Sequence, residues 1–432
     1  MDSWLIRDAT IVTMDDEHRV LPKADLVISG SEIARICASG EAHPDVPSDR
    51  VIDASGMVAV PGFINAHTHC AMTLLRGYAD DMQLMPWLQE RIWPVETKLE
   101  ADDVYWGTLL GIAEMIRGGV TCFNDMYHYF ESAARAALDS GMRAVVSGVL
   151  LAFLPDADER LERAIEFARE WRDKGDGLLV TMLGPHAPYT VANHFLDRVI
   201  QGAREVGVGI HIHVSETRGE VEESRRDYNQ TPVERLSEIG LLDVHPVAAA
   251  HCVHLTESDI DTLVEKRVGI LHCPGSNMKL ASGVAPIPKL LEAGAIVGLG
   301  TDGPASNNNL DMLEEARLAA LLHKTHTGDP TAVPAYTALA MATRGSAEAL
   351  GIADRVGRIE PGMKADIALL DFQQPHLFPL HDVISHLVYA ARAGDVRTVF
   401  INGRPVMLDR KLLTIDEEEI YGQVRDRLKR LI

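Results

Sequence analysis

The sequence predicts an α/β chain: a (β/α)8 TIM barrel carrying a small β-sandwich domain built from both chain ends. Three observations predict it. Short apolar runs alternate with stretches of helical spacing through the middle of the chain. Both ends hold strand-like segments too short to bury a core of their own. The polar residues of the middle region, histidines above all, collect at the C-terminal ends of the apolar runs, where a barrel keeps its active site.

In chain order, residues 5–13 and 24–28 alternate or run apolar, with Ser29-Gly30-Ser31 as a turn. From Val58 the pattern changes. Eight strand-like runs cover 58–67, 120–125, 143–151, 178–186, 208–214, 247–253, 268–273 and 296–301. Helical stretches follow them, among them 103–117, 132–139, 160–172, 193–205, 258–266 and 310–323. Eight such units over about 265 residues match a closed barrel with right-handed crossovers. An open doubly wound sheet would carry a Gly-rich phosphate turn after its first strand, and that position here holds His67-Thr68-His69. Strands return at 365–370 and 397–401, the latter followed by the turn Asn402-Gly403. The expected domains are therefore 1–58 with 365–432 as a composite β-sandwich, and 59–364 as the (β/α)8 barrel.

The chain has 432 residues, 46% of them hydrophobic, enough for a large core. Its 63 acidic residues outweigh 41 basic ones, for a net charge of −22, which argues against nucleic acid or an anionic membrane as partner. The five cysteines are scattered with no CxxC pair, so neither a disulfide framework nor a cysteine zinc knuckle is expected. The start, Met1-Asp2-Ser3-Trp4-Leu5, lacks a basic segment backed by an apolar one, and no apolar run reaches the roughly 18 residues of a membrane span. A cytoplasmic protein is expected.

His67 and His69 close the first run. On an extended backbone, residues two apart face one side, so both imidazoles can reach one ion. His186 closes the fourth run, His211-Ile212-His213 the fifth, His251 the sixth and Asp302 the eighth. Each has a bland reading: His186 a capped core histidine, Asp302-Gly303 a plain turn. Together at one end of a barrel they would crowd unpaired polar groups, and a metal with water removes that penalty. His213, nearer the open end than His211, is the expected ligand; His211 is expected to lie deeper and pack, contact with the metal being its other reading. His67, His69, His213 and Asp302 then form a three-histidine, one-carboxylate site with room for water. Asp302 can take the water's proton, Glu216 is placed as general acid, and His251 can hold the hydroxide. Residues 178–186 contain no lysine to bridge a second metal, which favours one ion.

At these residues the chain resembles the amidohydrolase superfamily, in its aminohydrolase branch. The likeness runs through Asn65-Ala66-His67-Thr68-His69 with Met72-Thr73-Leu74-Leu75-Arg76-Gly77, then Gly184-Pro185-His186-Ala187-Pro188-Tyr189. It continues in His213-Val214-Ser215-Glu216-Thr217, Ala250-His251-Cys252-Val253-His254 and Gly300-Thr301-Asp302-Gly303 with Ala305-Ser306-Asn307-Asn308, reaching Gly362-Met363-Lys364-Ala365-Asp366. The resemblance implies one divalent ion, Zn2+ or else Fe2+, on His67, His69, His213 and Asp302. It implies hydrolytic removal of the C6 amine from methylthioadenosine, S-adenosylhomocysteine or adenosine. Glu216 would protonate purine N1 and His251 orient the water. Glu96 would bind ribose hydroxyls, Trp87 line the pocket, His186 contact the substrate and Ser306 join them.

Glu96 also reads as a helix-start carboxylate, and Trp87 as core packing. Relatives that take S-adenosylhomocysteine can hold its carboxylate with two arginines. The first position falls here on Ser147 and the second on Arg160, which puts that substrate in doubt. The alternative within the family is a free base or triazine substrate (guanine, cytosine, chlorotriazine). A structural relative that works by self-association is the reading from another class, and a homo-oligomer is compatible with either.

Overall fold

The computed structural model describes residues 3–41, 43 and 46–432, so the expectation drawn from Met1-Asp2 lies outside it. Among the described residues seventeen strands form two sheets. The first strands are β1 (Ser3–Val12), β2 (Val20–Ser29), β3 (Glu32–Ala38), β4 (Val51–Asp53) and β5 (Met57–Pro61). The middle of the chain supplies β6 (Phe63–Thr68), β7 (Val120–Tyr127), β8 (Arg143–Leu150), β9 (Leu179–Pro185), β10 (Gly209–Val214), β11 (Val247–His251), β12 (Gly269–His272) and β13 (Ile296–Leu299). The end supplies β14 (Ile367–Asp371), β15 (Val396–Ile401), β16 (Arg404–Leu408) and β17 (Lys411–Leu412).

Strands β6 to β13 pair in sequence order, every pair parallel, as the eight-stranded barrel. The seam between β13 and β6 is closed mostly by side chains. Asn65 bonds both the hydroxyl (2.8 Å) and the N–H (3.0 Å) of Thr301, and the Asp302 N–H donates to the His67 carbonyl at 2.9 Å. A Cβ on Gly300 would lie 2.7 Å from His67 N and Cβ, so this approach of first and last strand requires glycine. Inside the wall, Ile64, Cys122, Val145, Met182, Ala248 and Leu271 pack on Leu350, Ile352 and Val356, plugging one end with apolar side chains. The polar strand ends lie at the other.

The nine-stranded sheet joins both chain ends, β5 lying parallel to β1 and antiparallel to β14, around its own core of Ile6, Ile11, Leu26, Ile28, Ile367 and Phe400. Here the single run read at 58–67 is two strands. It breaks at Gly62, whose neighbours Pro61 and Phe63 pair into different sheets. The end is also less purely β than its sequence suggests: Glu417–Leu431 is a helix, capped by Asp416 and packed on the helix Ala101–Arg117 through Arg117–Glu417 and Arg430–Asp103. Among the described residues no helix is long and apolar enough to cross a membrane.

One buried ion pair ties barrel to end sheet. Arg143, on β8, donates twice to Asp366 (2.7 and 3.0 Å), both side chains 2% exposed, and Asp366 also accepts the Asn402 N–H at 2.7 Å. Asp366→Ala leaves a buried guanidinium unpaired and is expected to lower the urea-unfolding free energy by about 3–5 kcal/mol.

Candidate active site

His67, His69, His213 and Asp302 meet at the open end of the barrel. His67 Nε2 and His69 Nε2 stand 3.3 and 3.2 Å from Asp302 Oδ1, and His213 Nε2 stands 3.3 Å from His69 Nε2. His69 Nδ1 donates to the Met126 carbonyl and His213 Nδ1 to the His186 carbonyl, each at 2.6 Å. With Nδ1 protonated, both rings turn an Nε2 lone pair inward. His67 Nε2 is buried with no hydrogen-bond partner. Converging lone pairs beside a carboxylate suit a divalent cation. The charges agree. Burial raises the Asp302 carboxyl, but the imidazoles of His67 and His69 beside it hold it well below the usual range. Burial lowers His69, yet Asp302 pushes it up to about 9: the carboxylate demands a positive charge here, which an ion supplies as well as a proton does.

Three residues of the site have left-handed backbones: Ser215 (φ 51°), His251 (φ 72°) and Asp302 (φ 61°). Such conformations are strained for side-chain-bearing residues and persist only where the surroundings fix them. At Asp302, Ser276 (2.6 Å) and Ser306 (2.8 Å) donate to Oδ2, leaving Oδ1 to the histidines. Ser306, expected in the pocket, does line it, but with its hydroxyl committed to Asp302. At Ser215, the buried Glu220 carboxylate accepts the Ser215 and Glu216 N–H groups, each at 2.8 Å, and so aims Glu216. Thr217 caps the helix Arg218–Tyr228 by accepting from Glu220 N. The pattern Thr217-x-x-Glu220 is readable as a capping box, but the carboxylate reaches past the cap to the turn that carries Glu216.

Glu216 is buried. Its Oε1 accepts from Ser282 Oγ at 3.2 Å, and its Oε2 is 3.7 Å from His251 Nε2. Burial, with repulsion from Asp302, pushes its carboxyl up to about 8, so it holds a proton at neutral pH. The His251 ring is held by the Asn277 amide, 2.9 Å from Nδ1, and burial lowers it to about 4. No motif marks Ser282, Asn277 or Ser276 in the sequence.

The pocket above these groups is walled by Leu84, Trp87, Leu88, Trp93, Val149 and Leu151. Trp87 is fixed by its Nε1–H bond to the Ala79 carbonyl, 3.1 Å. Glu96 lines the pocket 3.8 Å from His128; burial raises its carboxyl, but His128, with Tyr127 and His69, brings the net shift downward. His186 lines it too, its Nδ1 3.1 Å from Thr190 Oγ1. Two expected positions lie elsewhere. Arg160, in the first turn of Ala157–Trp171, pairs with Asp156 at 2.8 Å and is not part of the pocket wall. Ser147 is fully buried in the barrel and donates to the Asp125 carbonyl. Among the described residues lining the pocket there is no lysine or arginine.

A model of the amidohydrolase family matches residues 58–406. A protein of Pelotomaculum thermopropionicum named 5-methylthioadenosine/S-adenosylhomocysteine deaminase is 53% identical over 432 residues, covering 100% of this chain and 99% of its own length. One of the same name from Moorella thermoacetica is 50% identical, covering 99% of both chains. Among solved structures, an adenosine deaminase from Xanthomonas campestris with bound zinc superposes at a TM-score of 0.94, with 40% identity over 99% of this chain and 98% of the other. A triazine hydrolase variant superposes at 0.92, with 27% identity over 99% of this chain and 100% of the other.

Proposed function

This chain belongs to the amidohydrolase family, and from that premise we propose that it is a deaminase of adenosine-type nucleosides, replacing the C6 amine by oxygen and releasing ammonia. The observation that carries the reading is the meeting of His67 and His69 on Asp302 Oδ1, with His213 against His69, in one pocket with a buried Glu216 whose carboxyl is pushed up to about 8. Family and zinc-bearing neighbour support a divalent metal site built from histidine and aspartate. We assign His67, His69, His213 and Asp302 as ligands of one ion, zinc for preference, because three nitrogens and one carboxylate with an open position suit it. When bound, the ion supplies the Lewis acidity that makes water a nucleophile at neutral pH.

The chain's own groups do the rest. Asp302 takes the proton from the attacking water. His251 holds the incoming oxygen by a hydrogen bond. Glu216 donates its proton to N1, which moves the ring's electrons away from C6; Asp302 passes the water's proton to the amine, which leaves as ammonia, and the remaining proton of the added hydroxyl restores Glu216 as the C6 carbonyl forms. Glu96 accepts hydrogen bonds from the ribose hydroxyls, Trp87 seals the pocket wall, His186 contacts the substrate and Ser306 steadies Asp302. With Arg160 held by Asp156, a 5′ carboxylate meets no bidentate partner, whereas a small neutral 5′ group suits the apolar wall.

Ammonia release with 5′-methylthioadenosine, adenosine, S-adenosylhomocysteine and adenine tests this. The first two are expected to turn over well. S-adenosylhomocysteine should lag by about 10–100-fold in kcat/KM, the worth of one charge-assisted hydrogen bond. Adenine, with no ribose for Glu96, should be poor. Equal rates on adenine and adenosine would move the reading to free bases, and turnover of a chlorotriazine alone would move it to the triazine hydrolases.

A further inference from the structure

The three histidines of the proposed metal site are not held alike. His69 and His213 each rest Nδ1 on a backbone carbonyl. His67 Nδ1 instead lies 2.8 Å from His211 Nε2, across the barrel from β6 to β10. His211 Nδ1 is in turn 3.3 Å from Ser147 Oγ on β8, and Ser147 donates its hydroxyl to the Asp125 carbonyl at 3.0 Å. All three side chains are fully buried.

Only one order of protons satisfies this chain. A carbonyl cannot donate, so the Ser147 hydroxyl hydrogen points at Asp125 and its lone pairs face His211. His211 therefore carries its proton on Nδ1, which leaves Nε2 as an acceptor. His67 must then be protonated on Nδ1, and its Nε2 lone pair faces Asp302. A second contact agrees independently. The Asn124 amide nitrogen donates to the Ala66 carbonyl at 2.7 Å and lies 3.4 Å from His211 Nε2. Turning that amide over would set two oxygens against each other, so Asn124 presents N–H to His211 Nε2 and requires an acceptor there.

We propose that His211 is a positioning residue of the metal site: with Ser147 and Asn124 it locks His67 in the one tautomer that can bind a cation. The Asp125 carbonyl thus fixes a ligand three groups away. The inference deepens the one-ion reading above and rests on it, but it can be tested without substrate.

The test uses the full-length chain stripped of metal. The ring 15N signals of His67 report its tautomer, and competition with a chromogenic chelator reports zinc affinity. In the parent chain His67 is expected as the Nδ1–H form alone. His211→Phe, which keeps a ring but offers no acceptor, should give a mixture of His67 tautomers and weaken zinc about 10–100-fold, the range found for partners of metal-bound histidines. Ser147→Ala should shift both readouts the same way by less. His211→Gln, whose amide oxygen can accept from His67, should recover part of the affinity, and His211→Leu, which also lacks an acceptor, stands in if the Phe variant fails to fold. A single Nδ1–H signal with zinc affinity within twofold of the parent in the folded Phe or Leu variant would overturn the proposal. Failure of the deaminase reading would appear separately, as absence of ammonia release by the parent chain with zinc bound.

Discussion

Glu216→Gln is expected to keep its metal and lose about 10²–10⁴-fold in turnover, the range general acid catalysis spans. The amide matches the carboxyl in size and still accepts from Ser282. It cannot pass a proton to a ring nitrogen. Metal content by elemental analysis and ammonia release by coupled assay check the two halves of the expectation separately. The pH profile adds a signed test. Burial first, and Asp302 second, raise this carboxyl to about 8, and the acid works only while protonated. The parent kcat should therefore be level at neutral pH and fall as pH rises through the carboxyl's pKa. A cation on Asp302 offsets the second cause, so the fall is expected at or somewhat below pH 8. The Gln variant should lack that limb. Normal turnover in the variant would end the assignment of the acid.

Removing the ion is expected to have the second large effect. Chelation should lower ammonia release at least about 10³-fold, because Lewis-acid stabilisation is worth several kcal/mol and each ~1.4 kcal/mol is tenfold. Added zinc should restore it. Asp302→Ala should purify with little metal and recover little activity when zinc is supplied. The reason is local: without Asp302 Oδ1, three neutral imidazoles face one another with no negative charge to balance a dication. Ser276 and Ser306 then lose their shared acceptor as well. A variant that retains one equivalent of zinc and parental turnover would refute the ligand set.

Much of this is legible in the sequence itself. Seven of the eight barrel runs match their strands to within about two residues at each end, because a strand buried on both faces writes itself as a continuous apolar run. The same property hid the break at Gly62, since strands in two different sheets can be equally apolar when adjacent in sequence. The C-terminal helix carried its signals, an Asp416 cap and the acidic residues Glu417, Glu418 and Glu419, but reading both ends as β structure passed over them. In the site, histidines and carboxylates at strand ends could be found because their chemistry is rare in a core. Their supports could not. Ser282, Asn277 and Ser276 are ordinary residue types whose roles come from contacts with distant parts of the chain. Ser147 shows the converse: a position picked out by resemblance for substrate turns inward, because alternation along β8 points it at the barrel axis beside His211.

The wall formed by Leu84, Trp87, Leu88, Trp93 and Glu96 comes from one continuous segment between β6 and the next barrel strand, whereas the reacting groups come from many strands. Most of what would select the substrate is therefore written apart from what would act on it, Val149, Leu151 and His186 being the parts of the wall that come from elsewhere. A lineage can exchange the first without disturbing the second. Grafting that single segment from a relative of different appetite should retarget the protein while its metal affinity and its acid stay as they are.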